Sequence, residues 1–273
     1  MSRVSHVTPI VQHFTPRRVL GAVRQHPPLL FELPWMARAA VDWGVRAVTE
    51  EFHNNDDLEA FLTDPKTESA DTIVFAIHGY FADKGHFAPV HQRVFEQEYG
   101  FGFFAPQYGT FRDIHLNARY LGTHVKNILR ETDARIALYG HSLGALVALE
   151  LFYDRLSVAE QDRISSVLLV AGPHHGTPEA RHGYGFSADQ MRVGSDYMRS
   201  WQKRYPTLPH GEKIVSFSAP SDAIVPKRST HVPIPGAQHY VLDDLGASPL
   251  TSHVNLLYSR RVARALGKIV TRK

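Results

Sequence analysis

The chain has 273 residues, 43% of them hydrophobic, with a formal charge of +3, a pI of about 9.1 and no cysteine. That length fits one α/β domain with insertions, the composition excludes a disordered or fibrous chain, and the scattered Lys and Arg form no block dense enough for a nucleic-acid surface. Without cysteine, disulfides, thiolate catalysis and Cys-ligated zinc are excluded as well.

Residues 1–70 differ from the rest and are expected to form a mainly helical arm, packed on the core or extending from it. His26-Pro27-Pro28 and Leu33-Pro34 break the first part into short pieces, and beyond them Trp35, Ala39, Trp43 and Ala47 recur every four residues, the spacing of one helical face. Two readings of the arm stand side by side. Arg17, Arg18, Arg24, Arg38 and Arg46, with the two tryptophans, would suit peripheral contact with a membrane or lipid surface; alternatively the arm packs across the back of the sheet. The N-terminal residues have no unbroken apolar core of signal-peptide length, and no apolar run approaches a bilayer span, so a soluble, cytoplasmic protein is expected.

From Asp71 to the C-terminus the pattern is regular. Thr72–Ile77 is a short β-rich run ending at His78-Gly79, and Gly102–Ala105 is a second, ending at Pro106. Ile114–Thr132 reads as a helix with Leu116, Tyr120, Val125, Ile128 and Leu129 on its apolar face. Arg135–Tyr139 is the next strand and runs straight into Gly140-His141-Ser142-Leu143-Gly144. Leu143–Leu156 is apolar nearly all round, as in a helix buried against a sheet. Ser166–Ala171 and Lys213–Phe217 are further strands, Tyr240–Leu242 reads as the last, and Val254–Ile269 is a final amphipathic helix. Apolar strands without alternation, separated by helices, predict a mostly parallel sheet covered on both faces.

The Gly140–Gly144 segment matches the G-x-S-x-G elbow, in which glycines flank a nucleophile on a strained strand-to-helix turn. A serine hydroxyl needs a base, and the base an orienting carboxylate; in the fold that carries this elbow their chain order is Ser, acid, His. Asp222 lies just past the carboxyl end of the strand Lys213–Phe217, where the acid belongs; Asp196, Asp243 and Asp244 follow no convincing core strand. Among 17 histidines, His253 sits in a loop directly before the final helix, with His239 and His231 as alternatives. The oxyanion donors expected are the backbone N–H groups of Leu143 and, after the first strand, Tyr80. His78 and His141, beside these loops, are further candidates for substrate contact.

His78-Gly79-Tyr80, the helix before Arg135–Tyr139, Ala171-Gly172-Pro173-His174-His175-Gly176-Thr177-Pro178 and Ser221–Pro226 together resemble the bacterial lipase and esterase branch of the α/β hydrolases. The resemblance runs from about Asp71 to the C-terminus, weakly between Thr177 and His210. It implies an α/β-hydrolase fold with a helical cap or lid insertion at about 177–210, a triad of Ser142, Asp222 and His253, and hydrolysis of a small-molecule ester or lipid without a cofactor. Some such lipases hold calcium; no carboxylate cluster for it stands out, so no metal is expected.

Within the insertion, Ser187 and Gln190 form a capping-box pattern, and Met191, Gly194, Met198, Trp201 and Tyr205 follow at heptad-like spacing. Met198 and Trp201 would meet an acyl chain if this helix is a lid, or the protein's own core if it is not. His174 and His175 either line the pocket or form a turn. A thioesterase or acyltransferase would use the same triad, and a non-catalytic binding protein could share the fold.

Overall fold

The computed structural model describes residues 57–272. The helical stripe expected from Trp35 to Ala47 and the arginines of the arm lie outside the described residues. The strands are β1 (Thr72–Ile77), β2 (Gly102–Phe104), β3 (Arg135–His141), β4 (Ile164–Val170), β5 (Ile214–Ser218) and β6 (Gln238–Val241). They form one sheet in the order β2-β1-β3-β4-β5-β6, with every neighbouring pair parallel. The helices are α1 (Asp57–Leu62), α2 (Pro65–Glu68), α3 (Arg93–Tyr99), α4 (Ile114–Glu131), α5 (Leu143–Asp154), α6 (Val158–Asp162), α7 (Phe186–Met191), α8 (Asp196–Arg204) and α9 (Arg260–Val270).

Alternate strand residues feed two separate cores. Ile73, Phe75, Ile77, Ile136, Leu138 and Leu169 pack under α4, α5 and α8 on one face. Val74, Ala76, Ala137, Tyr139, Leu168 and Val170 pack under α3 and α9 on the other. Burial on both faces is why these strands read as unbroken apolar runs. No helix among the described residues is long and apolar enough to cross a membrane.

The buried stripe of α4 is Ile114, Ala118, Leu121, Val125 and Ile128. Leu116, read from the sequence onto this face, is 58% exposed. Two residues after Ile114 it stands about 200° round the helix, so it cannot share the stripe. α5 is buried from Leu143 to Phe152. That burial includes Glu150, whose carboxylate is met by His115, by Arg155 Nη2 at 3.0 Å and by the Tyr197 hydroxyl at 3.2 Å.

The insertion differs from the expected single helix. α7 and α8 are separate, and Gly194 lies between them at φ +72°. The Ser187–Gln190 capping box does not form: Ser187 donates its hydroxyl to the Thr110 carbonyl, and Gln190 bridges Ile114 N–H and the Asp113 carboxylate at 2.8 Å each. Partners remote in sequence captured both side chains. The cap that exists is Ser195, which accepts from Met198 N–H at 3.2 Å. The final helix likewise starts later than expected. Asn255–Tyr258 is a tighter turn, and Ser259 caps α9.

Candidate active site

Ser142 joins β3 directly to α5 at φ 55° and ψ −122°, a conformation that costs a non-glycine residue about 1–3 kcal/mol. The flanking glycines make the turn possible. A Cβ on Gly140 would stand 2.3 Å from the Gly144 carbonyl oxygen, and one on Gly144 would stand 2.0 Å from that of Ile77. The serine therefore sits at the carboxyl edge of the sheet, where β2 and β3 leave β1 on opposite sides. Crevices at such reversals of strand order are where open α/β sheets bind ligands.

The structure brings Ser142, His253 and Asp222 into line. His253 Nε2 lies 2.9 Å from Ser142 Oγ, and its Nδ1 lies 2.8 Å from Asp222 Oδ2. Asp222 Oδ1 accepts from the N–H groups of Ile224 and Val225 at 2.9 and 2.7 Å, which fixes the carboxylate's plane. The acid and base loops are also tied to each other: Ser221 donates its N–H to the Thr251 carbonyl at 2.9 Å and its hydroxyl to the Pro249 carbonyl at 2.7 Å. With Nδ1 protonated toward Asp222, Nε2 of His253 can accept the Ser142 proton, the arrangement that turns a hydroxyl into a nucleophile.

The other candidates are engaged elsewhere. His239 lies within β6 rather than before it, its Nδ1 2.8 Å from Ser216 Oγ, and the His231 ring packs edge-on against it. Asp196 pairs with Arg199 on the surface of α8, and Asp243 and Asp244 belong to the turn after β6.

The turn after β1 passes directly over Ser142, since a Cβ on Gly79 would stand 3.0 Å from the serine's own Cβ. Among the described residues, neither the Tyr80 nor the Leu143 backbone N–H has a hydrogen-bond acceptor. Two free donors beside a serine hydroxyl are what an oxyanion requires. The Tyr80 phenol accepts from Tyr184 N–H at 2.6 Å and donates to the Tyr184 carbonyl at 2.5 Å. Burial pushes its pKa up to about 12, which keeps it a donor.

His78 and His141 are both enclosed. The His78 ring stacks on Tyr108 at 4.4 Å, and burial brings its pKa down to about 4. His141 Nε2 donates to the His253 carbonyl at 2.9 Å; burial, and then the neighbouring His253, holds its imidazole well below the usual range. Met198 and Trp201 are placed in the core. Trp201 packs against Tyr153, Tyr197 and Tyr205, with the Arg204 guanidinium 4.2 Å over its ring. Tyr153 is near the end of α5 remote from Ser142, so this face of the insertion is directed along α5 and away from the serine. His174 is fully buried in a turn closed by its N–H to the Gly172 carbonyl. Among the described residues, no three His, Asp or Glu side chains are placed to hold a metal ion together.

Sequence reading missed the residues that hold the loops. Asn255 accepts from Ser252 N–H at 2.8 Å and shapes the turn bearing His253. Tyr139 and Leu256 are linked through His91, whose Nδ1 and Nε2 lie 2.9 and 3.0 Å from them. The only sequence signal was a polar residue inside an apolar strand or just beyond a Pro-marked loop.

No family model matches the chain, and no curated protein matches it in sequence. Solved structures do. Lipase B of Aspergillus fumigatus is 12% identical with a TM-score of 0.60, over 77% of this chain and 56% of that one. The mature form of a Bacillus licheniformis lipase is 13% identical with a TM-score of 0.53, over 63% of this chain and 83% of that one; of its longer propeptide form the match spans 48%. A candidate thioesterase from Silicibacter is 17% identical with a TM-score of 0.52, over 86% and 93% of the two chains.

Proposed function

We propose, from the α/β-hydrolase fold that this chain adopts, that it is a serine hydrolase cleaving hydrophobic carboxylic esters through an acyl-enzyme. Ser142 Oγ attacks the ester carbonyl while His253 Nε2 takes its proton. Asp222 orients the imidazole and balances the charge it gains, and the N–H groups of Tyr80 and Leu143 meet the oxygen that becomes negative. Collapse expels the alcohol, protonated by His253. Water, deprotonated by the same nitrogen, then releases the acid and restores Ser142.

The observation that carries this reading is the unbroken contact from Ser142 Oγ to His253 to Asp222, at 2.9 and 2.8 Å. A hydrophobic substrate is supported by the rings beside the oxyanion turn. Phe111 lies 5.3 Å from Tyr80, 4.8 Å from Phe81 and 6.2 Å from Tyr184, and Phe186, next to the Gly185 that abuts Phe111, is 70% exposed. The same surface would suit peripheral contact with lipid.

A fluorophosphonate probe should label the wild type and not Ser142→Ala. On p-nitrophenyl esters the folded variant should lose about 10⁴-fold or more in kcat. A Ser142→Ala enzyme as active as the wild type would end the proposal. Thioester cleavage is the second reading, favoured by the Silicibacter match over most of both chains. Acyl-CoA substrates assayed beside oxygen esters of equal chain length separate the two.

A further inference from the structure

We propose that His141 is a positioning residue: its Nε2–H grips the His253 backbone carbonyl and so holds the His253 ring at reach of Ser142. The inference rests on the serine-hydrolase reading above.

His141 is the last residue of β3, paired in register with Val170 of β4, so its main chain is fixed by the sheet. His253 lies outside the sheet, in an irregular loop between Pro249 and α9. The 2.9 Å bond from His141 Nε2 joins that loop, at His253 itself, to the end of β3 inside the sheet. The His141 and His253 rings lie 4.9 Å apart, and both residues are about 4% exposed. His91 supports the segment three residues later, at the Leu256 carbonyl, and His141 meets the chain at the His253 carbonyl.

The opposite edge of the same ring faces the oxyanion turn. A Cβ on Gly79 would stand 3.2 Å from His141 Nδ1 and 3.0 Å from Ser142 Cβ. One imidazole thus fills the space between the residue before Tyr80 and the segment bearing the base. Burial keeps it neutral, so the bond to His253 persists while His253 gains and loses its proton. A neutral ring with Nε2–H as donor leaves Nδ1 as a bare lone pair against the Gly79 backbone.

The test compares side chains by reach. His141→Gln places an amide donor about where Nε2 stands, whereas His141→Asn stops short of the carbonyl and His141→Leu has no donor. On p-nitrophenyl acetate, the Asn and Leu variants should lose about 10- to 100-fold in kcat with KM changed less than about threefold, because the base is displaced and the binding surface is not. The Gln variant should return to within about fivefold of wild type, with a melting temperature no higher than that of the Asn variant. Wild-type kcat in the Asn variant, or a Gln variant that is unfolded or as slow as Asn, overturns the inference. If Asn and Leu do not fold, a folded Gln variant near wild-type kcat supports it. A wild type that neither hydrolyses esters nor reacts with fluorophosphonate would instead remove the underlying serine-hydrolase reading.

Discussion

Gly144→Ala adds one methyl group at the first turn of α5, and its effect follows from where that methyl lands. It would stand 2.0 Å from the Ile77 carbonyl oxygen and 2.6 Å from that of His78, both backbone atoms that cannot swing aside. Relief to an ordinary contact requires the end of β1 or the start of α5 to move by about 1 Å. Forcing a methyl into packed structure costs about 1–3 kcal/mol, and in a domain of this size that lowers Tm by up to about 10 °C. The displaced backbone leads into Tyr80, so kcat on p-nitrophenyl acetate should fall about 100-fold while KM moves less. Gly100→Ala is the control. Gly100 ends α3 at φ +68° with no atom within 4 Å of an added Cβ, so it costs only the left-handed strain of about 1 kcal/mol and leaves kcat unchanged. Thermal melts and steady-state kinetics on both variants decide the matter. Wild-type kcat in Gly144→Ala, or an equal loss in Gly100→Ala, would refute the account of the elbow.

His253→Ala should lose orders of magnitude more activity than His239→Ala, and Asp222→Asn more than Asp243→Asn, in the same ester assay. Replacing Met198 and Trp201 together with Gln should lower Tm and depress acetate and long-chain esters alike, because both side chains lie in the core. Selective loss on long chains would restore them as acyl contacts. The hydrogen bond to buried Glu150 raises the His115 pKa above its ordinary value. The pair's stabilisation is complete while both folded and unfolded chains are protonated, and it is lost as pH rises through the raised value. The Tm gap between wild type and His115→Ala should therefore be widest below the ordinary histidine value of 6.5 and narrow as pH rises through the raised one.

Features fixed by local chemistry were legible in the sequence. The strands announced themselves because both faces of the sheet are buried, and the elbow because no residue but glycine fits at 140 and 144. Its place after a core strand singled out Asp222, its place before the final helix singled out His253, and the structure brings these two into contact with each other. What stayed hidden depends on partners distant in the chain. Ser187 and Gln190 look like a capping box until Thr110, Ile114 and Asp113 compete for the same side chains. Met198 and Trp201 spell an amphipathic stripe that reads identically whether it covers a ligand or a core. His141 occupies a position the motif leaves free, and its carbonyl partner lies 112 residues away.

The all-parallel sheet also sets a timetable. β1 pairs with β2 and β3 only across long connections, and Ser142 and His253 meet across 111 residues of chain. Such non-local closures come late, because loop entropy must be overcome before the contacts that reward it form. The β1 turn, the elbow and the loop bearing His253 have to dock together before Ser142 and His253 can meet. A chain refolding from denaturant should therefore regain helical signal first. The alignment of Ser142, His253 and Asp222 returns last, so a half-folded chain does not yet carry the assembled site.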